Sequence, residues 1–313
     1  MKSVSTELTE LDDGRSAPLL SIIIPVLNRV HYLPGCIKSV QAQTYSDYEI
    51  VVIDNGSTDG SYDLVMSLAQ KDSRIKVLSE PRRGLAFARN RGIVSAVGEW
   101  LILLDSDNEL FDNLTLSRIA SLIVTKPDAI GVLAASVDQN GVVISGGKFA
   151  DETVSLKDYL SHFGELAHVV SRAWFRNNLY PEVEGAITEF PWLVWIPMVM
   201  TKKVYASSLA VIRYSTATEG SISNSPTSVK WARDMTRYYC EILKRHGLQM
   251  LLAKPSVAVK CLLKLVLYAR AAVAKAEGGV VLSPVENVLS KVIFVIPPQV
   301  AIRIIDRWRG VSA

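Results

Sequence analysis

The stretch Leu103-Leu104-Asp105-Ser106-Asp107-Asn108 concentrates the chemistry of this 313-residue chain. Trp100, Leu101 and Ile102 precede it, so an apolar strand runs directly into two carboxylates. Asp105 and Asp107 have the spacing at which a backbone turn lets neighbouring carboxylates converge on one ion. Paired hard oxygen ligands suit Mg²⁺ or Mn²⁺, ions that keep several waters and bind substrate phosphates. A solvated turn is the other common use of Asp-x-Asp at a strand end. The upstream sequence bears on which reading holds.

The elements that must position this pair alternate. Leu19 to Val26 is a continuous apolar run with three Ile, a pattern for a buried strand. Residues 31–43 have helical spacing, and 49–53 form a second strand closed by Asp54-Asn55-Gly56. A helix is expected over 57–69 with Asp59 in its first turn, a short strand over 75–78, a helix over 84–97 and a strand over 100–104. Strands alternating with helices predict an α/β fold with a mostly parallel sheet and helices on both faces. Ligands of such sheets bind beyond the carboxyl ends of the strands. Pro25, Asp54 and Asp105 each fall at a predicted carboxyl end, so three segments bring polar groups to one edge.

The pattern changes after Asp107. A helix is expected over 114–124, a hairpin over 130–145 turning at Asn140-Gly141, and a strand over 204–214. From 228 onward the reading is helical: 230–246, 251–274, 288–296 and 300–308. Charge is uneven along the chain. Residues 1–229 carry −6 and residues 230–313 carry +9, within a whole-chain charge of +3. Long aliphatic runs interleave with the basic residues of the tail, which suits an anionic lipid surface better than nucleic acid. An amphipathic helix packed on the body is the alternative use of the same pattern. Three scattered cysteines, Cys36, Cys240 and Cys261, give no disulfide framework or zinc spacing and predict a reducing compartment. The polar first 17 residues lack the apolar core of a signal peptide, and no run approaches the ~18 apolar residues of a spanning helix.

Four segments in order resemble family 2 glycosyltransferases of the GT-A type. They are Ser21-Ile-Ile-Ile-Pro25-Val-Leu-Asn28-Arg29, Val51-Val-Ile-Asp54-Asn-Gly-Ser-Thr-Asp59-Gly-Ser61, Gly84-Leu-Ala-Phe-Ala-Arg89-Asn90-Arg-Gly92 and Gly98-Glu-Trp-Leu-Ile-Leu-Leu-Asp105-Ser-Asp107. The resemblance is firm over about 19–110 and weaker over 111–225. It implies a GT-A, Rossmann-like catalytic domain over 19–225, with a nucleotide-sugar half (19–110) and an acceptor half (111–225). A flexible tail (1–18) would precede it, and a basic helical region (226–313) would follow.

The resemblance also implies inverting transfer from a nucleoside-diphosphate sugar to a glycan hydroxyl. Pro25 and Asn28 would line the nucleotide pocket. Asp54 would accept from N3–H of uracil or thymine, its other use being a cap on the following turn. Arg89 would reach the nucleotide, its other use being a helix-face salt bridge. Asp107 would bind the metal, with Asp105 holding the ribose or a metal-bound water. For Asp59 a capping role is expected instead of ligand contact.

Three positions depart from the family pattern. Arg82, followed by Arg83, stands where many relatives have Asn, which puts base and donor preference in question. Thr218 stands where many relatives supply a metal-binding His, leaving Glu219 or water to complete the shell. The usual Glu-Asp pair is reduced to Thr188-Glu189-Phe190, so Glu189 is the expected general base, with Glu182 and Glu184 as rivals and an N-terminal helix cap as its other use. The histidines show no ligand spacing and are expected in packing or surface roles. Residues 190–200 read either as a core helix or as a greasy wall for a lipid-linked acceptor.

Together these imply a metal-dependent transferase peripheral to the inner face of the cell membrane. Its expected partners are a donor of UDP or dTDP type, a polyprenyl-linked glycan acceptor and anionic lipid, with no nucleic acid. The broken acid pair and missing His motivate an alternative, a non-catalytic sugar-nucleotide-binding or scaffold protein. A nicotinamide dehydrogenase fits poorly, because Pro-Val-Leu-Asn follows the first strand instead of a glycine-rich loop.

Overall fold

A computed structural model describes residues 19–145, 152–161, 165–186, 189–215 and 229–273. Its centre is an eight-stranded sheet. The strands are β1 (Leu20–Val26), β2 (Tyr48–Asp54), β3 (Ile75–Ser79), β4 (Trp100–Leu103), β5 (Glu109–Leu110), β6 (Gly131–Val137), β7 (Leu166–Ser171) and β8 (Val204–Arg213). Their order is β3-β2-β1-β4-β7-β6-β8-β5. The first four pair in parallel, and β7 runs antiparallel to both β4 and β6. β6 and β8 are again parallel, and β5 closes the far edge antiparallel to β8. The sheet is therefore mixed, with six strands sharing one direction.

Every residue of β1 is buried, as a central strand covered on both faces requires. Side chains alternate between faces along a strand. Leu20, Ile22 and Ile24 join one core with α1 (Leu33–Gln41), Val65 of α2 (Ser61–Ala69) and α4 (Thr115–Val124). Ile23, with Val51 and Ile53 of β2, joins the other core, under α3 (Leu85–Ser95). That second core continues through α5 (Leu156–Ser161), α6 (Arg172–Phe175) and α7 (Trp192–Met200) to the helical pair α8 (Val229–Ala253) and α9 (Pro255–Val273). The helix α7, WLVWIPMVM, is apolar all round and correspondingly buried on most sides. Most of residues 190–200 thus pack as a core helix, while Pro191, Trp192 and Trp195 also form part of a cleft wall, so both readings of this stretch stand.

Three local expectations are corrected. The second helix begins at Ser61, not Ser57, so Asp59 lies outside its first turn. Asp59 still serves that helix, because its Oδ1 accepts from the Ser61 backbone N–H at 3.0 Å. The hairpin over 130–145 is reduced to one strand, β6, and a single bridge between Val137 and Val143. The gap placed between 246 and 251 is absent: α8 runs through Gly247 to Ala253, and the chain breaks at Lys254-Pro255. Proline lacks the N–H an interior turn needs but suits the first helical position, so it ends one helix and starts the next. The tail helices expected at 288–296 and 300–308 lie outside the described residues. Among the described residues, no helix is long and apolar enough to cross a membrane.

α3 lies close on the sheet because Gly92 has no side chain. A Cβ there would meet Ile23 Cγ2 and Ile53 Cδ1 at 2.5 Å each. Those are core atoms in a packed layer, so the helix would have to lift. Gly92→Ala is expected to lower stability by about 1–3 kcal/mol, the usual cost of overpacking. A urea midpoint unchanged from the parent would contradict this close approach.

Candidate active site

The carboxyl ends of β1, β2 and β4 open onto a cleft of about 1720 Å³. Small-molecule pockets measure about 300–1,000 Å³, so this one has room for two substrates side by side. Pro25 and Asn28 line it from the loop after β1, and Asp105 and Asp107 line it from the turn after β4. Arg89 and Glu189 line it as well. Six of the seven residues singled out from sequence thus border one cavity.

Asp54 is the exception, since it is not among the cleft-lining residues. It is 5% exposed and accepts from the backbone N–H of Gly56 (3.0 Å) and Ser57 (3.2 Å), the turn-capping use of an aspartate. Asn55 ties this loop to the next one. Its amide donates to the carbonyls of Glu80 and Arg82 and accepts from Gly84 N–H at 2.9 Å. Asn28 adopts φ +53, a conformation asparagine tolerates better than most residues. Its Oδ1 accepts from Thr58 N–H at 2.8 Å, which ties the loop after β1 to the loop after β2.

The acidic turn is held in place by backbone bonds. Leu104 N–H donates to the Ile23 carbonyl, and Asn108 N–H to the Asp105 carbonyl at 2.9 Å. The second bond closes a β-turn. Asn108 Oδ1 then accepts from Ser215 N–H, tying the turn to the end of β8.

One guanidinium joins the two halves of the cleft. Arg89 donates from Nη2 to Asp105 Oδ1 at 2.5 Å, and from Nη1 to Glu189 Oε1 in a second short contact. The side chains of Arg89 and Glu189 are 10% and 11% exposed, whereas Asp105 is 43% exposed. Burial pushes the Glu189 carboxyl up from its ordinary range, against the pull of the Arg89 charge, and the Asp105 charge adds to the rise. Burial opposes the Arg89 charge, but its carboxylate partners outweigh that and hold it firmly protonated. Arg89 therefore makes a salt bridge across the cleft, an extended form of the helix-face salt bridge considered from sequence.

The cluster around Arg89 includes residues with no sequence signal of their own. His168 of β7 stacks on Trp195 of α7, with ring centroids 4.3 Å apart. Burial and the nearby Arg89 charge push its pKa down to about 3, so the ring is neutral. It lines the cleft, which goes beyond the packing role expected for histidines. Tyr180 lies 5.8 Å from the Arg89 guanidinium, ring centroid to carbon. Asn90, next along α3, grips the backbone of Tyr180: Nδ2 donates to its carbonyl (2.9 Å) and Oδ1 accepts from its N–H (3.0 Å). The same amide reaches Glu182 at 3.1 Å. These contacts link positions 90 apart in sequence, beyond the reach of any local motif.

Arg82 forms hydrogen bonds to Glu80 (3.0 Å) and Glu182 (2.8 Å) and covers the Phe87 ring. Arg83 donates to the Gly56 carbonyl at 3.0 Å, beside the Asp54 turn. Of the rival bases, Glu182 is thus tied to Arg82 and Asn90, while Glu184 is exposed at the cleft.

No group of three or more His, Cys, Asp and Glu among the described residues is arranged to hold a metal ion. Asp105 and Asp107 do supply two carboxylates of the right hardness at the cleft. Asp107 also meets Arg29 Nε at 3.8 Å. A divalent ion there would need waters or a diphosphate for its remaining ligands, as Mg²⁺ sites commonly do. Thr218 and Glu219 lie outside the described residues.

Residues 21–175 match the model of the family described as glycosyl transferase family 2. A PGL/p-HBAD biosynthesis glycosyltransferase of Mycobacterium bovis is 39% identical over 109 residues, which is 34% of this chain and 43% of that protein. Glycosyltransferase GlyG of Streptococcus pneumoniae is 37% identical over 97 residues, 31% of this chain and 32% of that protein. The chain thus matches less than half the length of these curated relatives. Among solved structures, S. aureus TarS 1-349 in complex with UDP-GlcNAc superposes with TM-score 0.58 at 17% identity, covering 94% of this chain and 92% of that one. The mannosyltransferase PcManGT from Pyrobaculum calidifontis, with GDP-Man and Mn²⁺, gives TM-score 0.56 at 18% identity, covering 95% and 86%. At these identities the superpositions establish a shared GT-A fold.

Removing the bridging charge should expose its structural worth. Arg89→Met leaves Glu189 buried without its counter-charge, which is expected to cost about 3–5 kcal/mol at neutral pH. The deficit should shrink as pH falls and Glu189 takes up a proton, because the neutral acid no longer needs the guanidinium. Urea unfolding at pH 7.5 and pH 4 checks this. A loss independent of pH would show that Arg89 stabilises by packing alone.

Proposed function

Since this chain belongs to glycosyl transferase family 2 through residues 21–175, we propose that it transfers a sugar from a nucleoside diphosphate to an acceptor hydroxyl, with inversion. The observation that supports this most is the Arg89 bridge. It sets the carboxylate suited to the donor, Asp105, and a buried carboxylate on the acceptor side, Glu189, around one cleft.

In this reading residues 19–110 bind the donor and residues 111–225 the acceptor. Pro25 and Asn28 shape the floor under the nucleotide. Asp54, buried and off the cleft wall, holds the loop after β2 that would face a uracil or thymine ring. Arg83, over Gly56, stands beside the same base. Asp105 and Asp107 hold Mn²⁺ or Mg²⁺, which supplies Lewis-acid neutralisation of the diphosphate when bound.

Glu189 takes the proton from the acceptor hydroxyl. The freed oxygen pair forms the new bond to the anomeric carbon, and the bond from that carbon to the diphosphate oxygen breaks on the opposite side. The nucleoside diphosphate leaves with the electron pair, and the proton stays on Glu189. A base held above the ordinary carboxylate range is better matched to this transfer near neutral pH. Arg89 orients Glu189 and keeps the pair of carboxylates together. The acceptor is proposed to be a polyprenyl-linked glycan, presented where the basic C-terminal helices meet an anionic membrane face.

Three measurements test the reading. UDP or dTDP with Mn²⁺ is expected to raise the melting temperature of the parent and not of Asp107→Ala. Glu189→Gln is expected to keep donor binding and lower kcat by about 10²–10⁴, the usual share of a general base. In the parent, kcat/KM should rise with pH through an acidic limb displaced above the ordinary glutamate value of about 4.3, since the base works only when deprotonated. Donor binding with no turnover in parent and variant alike would favour the non-catalytic alternative.

A further inference from the structure

The outer faces of α8 and α9 near their connection are apolar, and they face away from the core. On α8, Leu248, Leu251 and Leu252 are 66%, 48% and 78% exposed. On α9, Val259, Leu262 and Leu263 are 51% exposed each. The spacing is i, i+3, i+4 in both helices, so each trio forms one stripe. At about 100° per residue, Leu248 and Leu252 sit about 160–200° round from the fully buried Met250. Val259 and Leu263 stand in the same relation to the buried Cys261. Neither stripe belongs to either core cluster. Both lie within about two turns of Pro255, so they sit at similar levels of one antiparallel hairpin.

Charge says what such a surface fits. Between 241 and 264 the sequence holds five Lys and Arg against a single Glu. Lys244 and Arg245 are exposed one turn behind the α8 stripe, and Lys260 is exposed within the α9 stripe. Lys244 and Arg245 are set back from the tip, whereas Lys254 at the connection and Lys260 on α9 lie among the apolar residues. Exposed leucines flanked by cations match a bilayer, whose acyl region lies below an anionic headgroup layer. By contrast, Leu265, Leu267 and Tyr268 are buried in the core, and Lys264 lies 5.6 Å from the Tyr239 ring.

We propose that the α8–α9 hairpin tip is the membrane-docking element, inserting Leu248, Leu252 and Leu263 into the interface of an anionic leaflet. This rests on the membrane reading given above and assigns it a surface. It also fixes the orientation of the cleft. Tyr238 of α8 stacks on Phe190 and its hydroxyl accepts from Trp192 N–H at 3.3 Å, beside Glu189. From Tyr238 to Leu252 the helix rises about 21 Å. The docked tip would therefore hold the acceptor side of the cleft about 20 Å from the bilayer, within reach of a glycan anchored there.

Co-sedimentation of the full chain with phosphatidylglycerol-containing vesicles and with pure phosphatidylcholine vesicles tests this. The parent should bind the anionic vesicles at least tenfold more tightly. Leu252→Glu with Leu263→Glu should lose at least tenfold of that binding, and the milder Leu252→Ser with Leu263→Ser should lose part of it, with melting temperatures unchanged. No vesicle binding by the parent would overturn the membrane reading itself. Parent binding that both double variants retain would leave that reading standing and overturn the hairpin as its surface. A vesicle-independent dimer that the double variants dissociate would assign the face to a second copy and overturn the proposal.

Discussion

A single buried guanidinium holds the charged groups of this cleft together. Two carboxylates, a half-exposed one from the turn after β4 and a buried one from the segment leading into α7, would repel each other. Arg89 makes their proximity tolerable. Its position is in turn fixed by α3, which Gly92 lets down onto the sheet. The height of that helix therefore bears on the geometry of the acid pair. Asn90 uses the next position on the same helix to secure the 180–182 backbone. Adjacent side chains on α3 thus hold the chain both at 180–182 and at Glu189.

Much of the half built on β1 to β4 was legible in sequence because its signals are local. A buried parallel strand announces itself as an apolar run, and its carboxyl end as the first polar residue after that run. β1, β2 and β4 and the residues at their ends follow from this rule alone. Helix limits were less legible. Ser57 looked like a start, but the loop after β2 is used for the Asp54 turn and the Asp59 bonds to Val30 and Ser61, so the helix begins after Gly60.

The half that follows Asp107 was harder to read because its contacts are not local. β7 takes its place through pairing with β4 and β6, both distant in sequence. His168 has no neighbouring ligand in sequence, and Trp195 reaches it from a helix formed later in the chain. The pairing of Arg89 with Glu189 spans 100 positions. Glu189 could be picked out as an acid before an apolar helix, but its partner could not. The tail illustrates the same limit. Alternation of Leu and Lys over 260–267 signals amphipathicity, yet which leucines face the core depends on how α9 meets α8. The structure buries Leu265 and Leu267 and leaves Leu262 and Leu263 outside.

The strand order also carries a consequence for how the chain comes off the ribosome. β1 to β4 are complete by residue 103 and pair only with one another on one side. β4 then presents a bare hydrogen-bonding edge until β7, ending at residue 171, is synthesised and fills it. At about 5–20 residues per second this edge stays open for several seconds on each nascent chain. An unpaired apolar strand is a template for other chains. β4 is short, four residues, which limits how much template it offers during that interval.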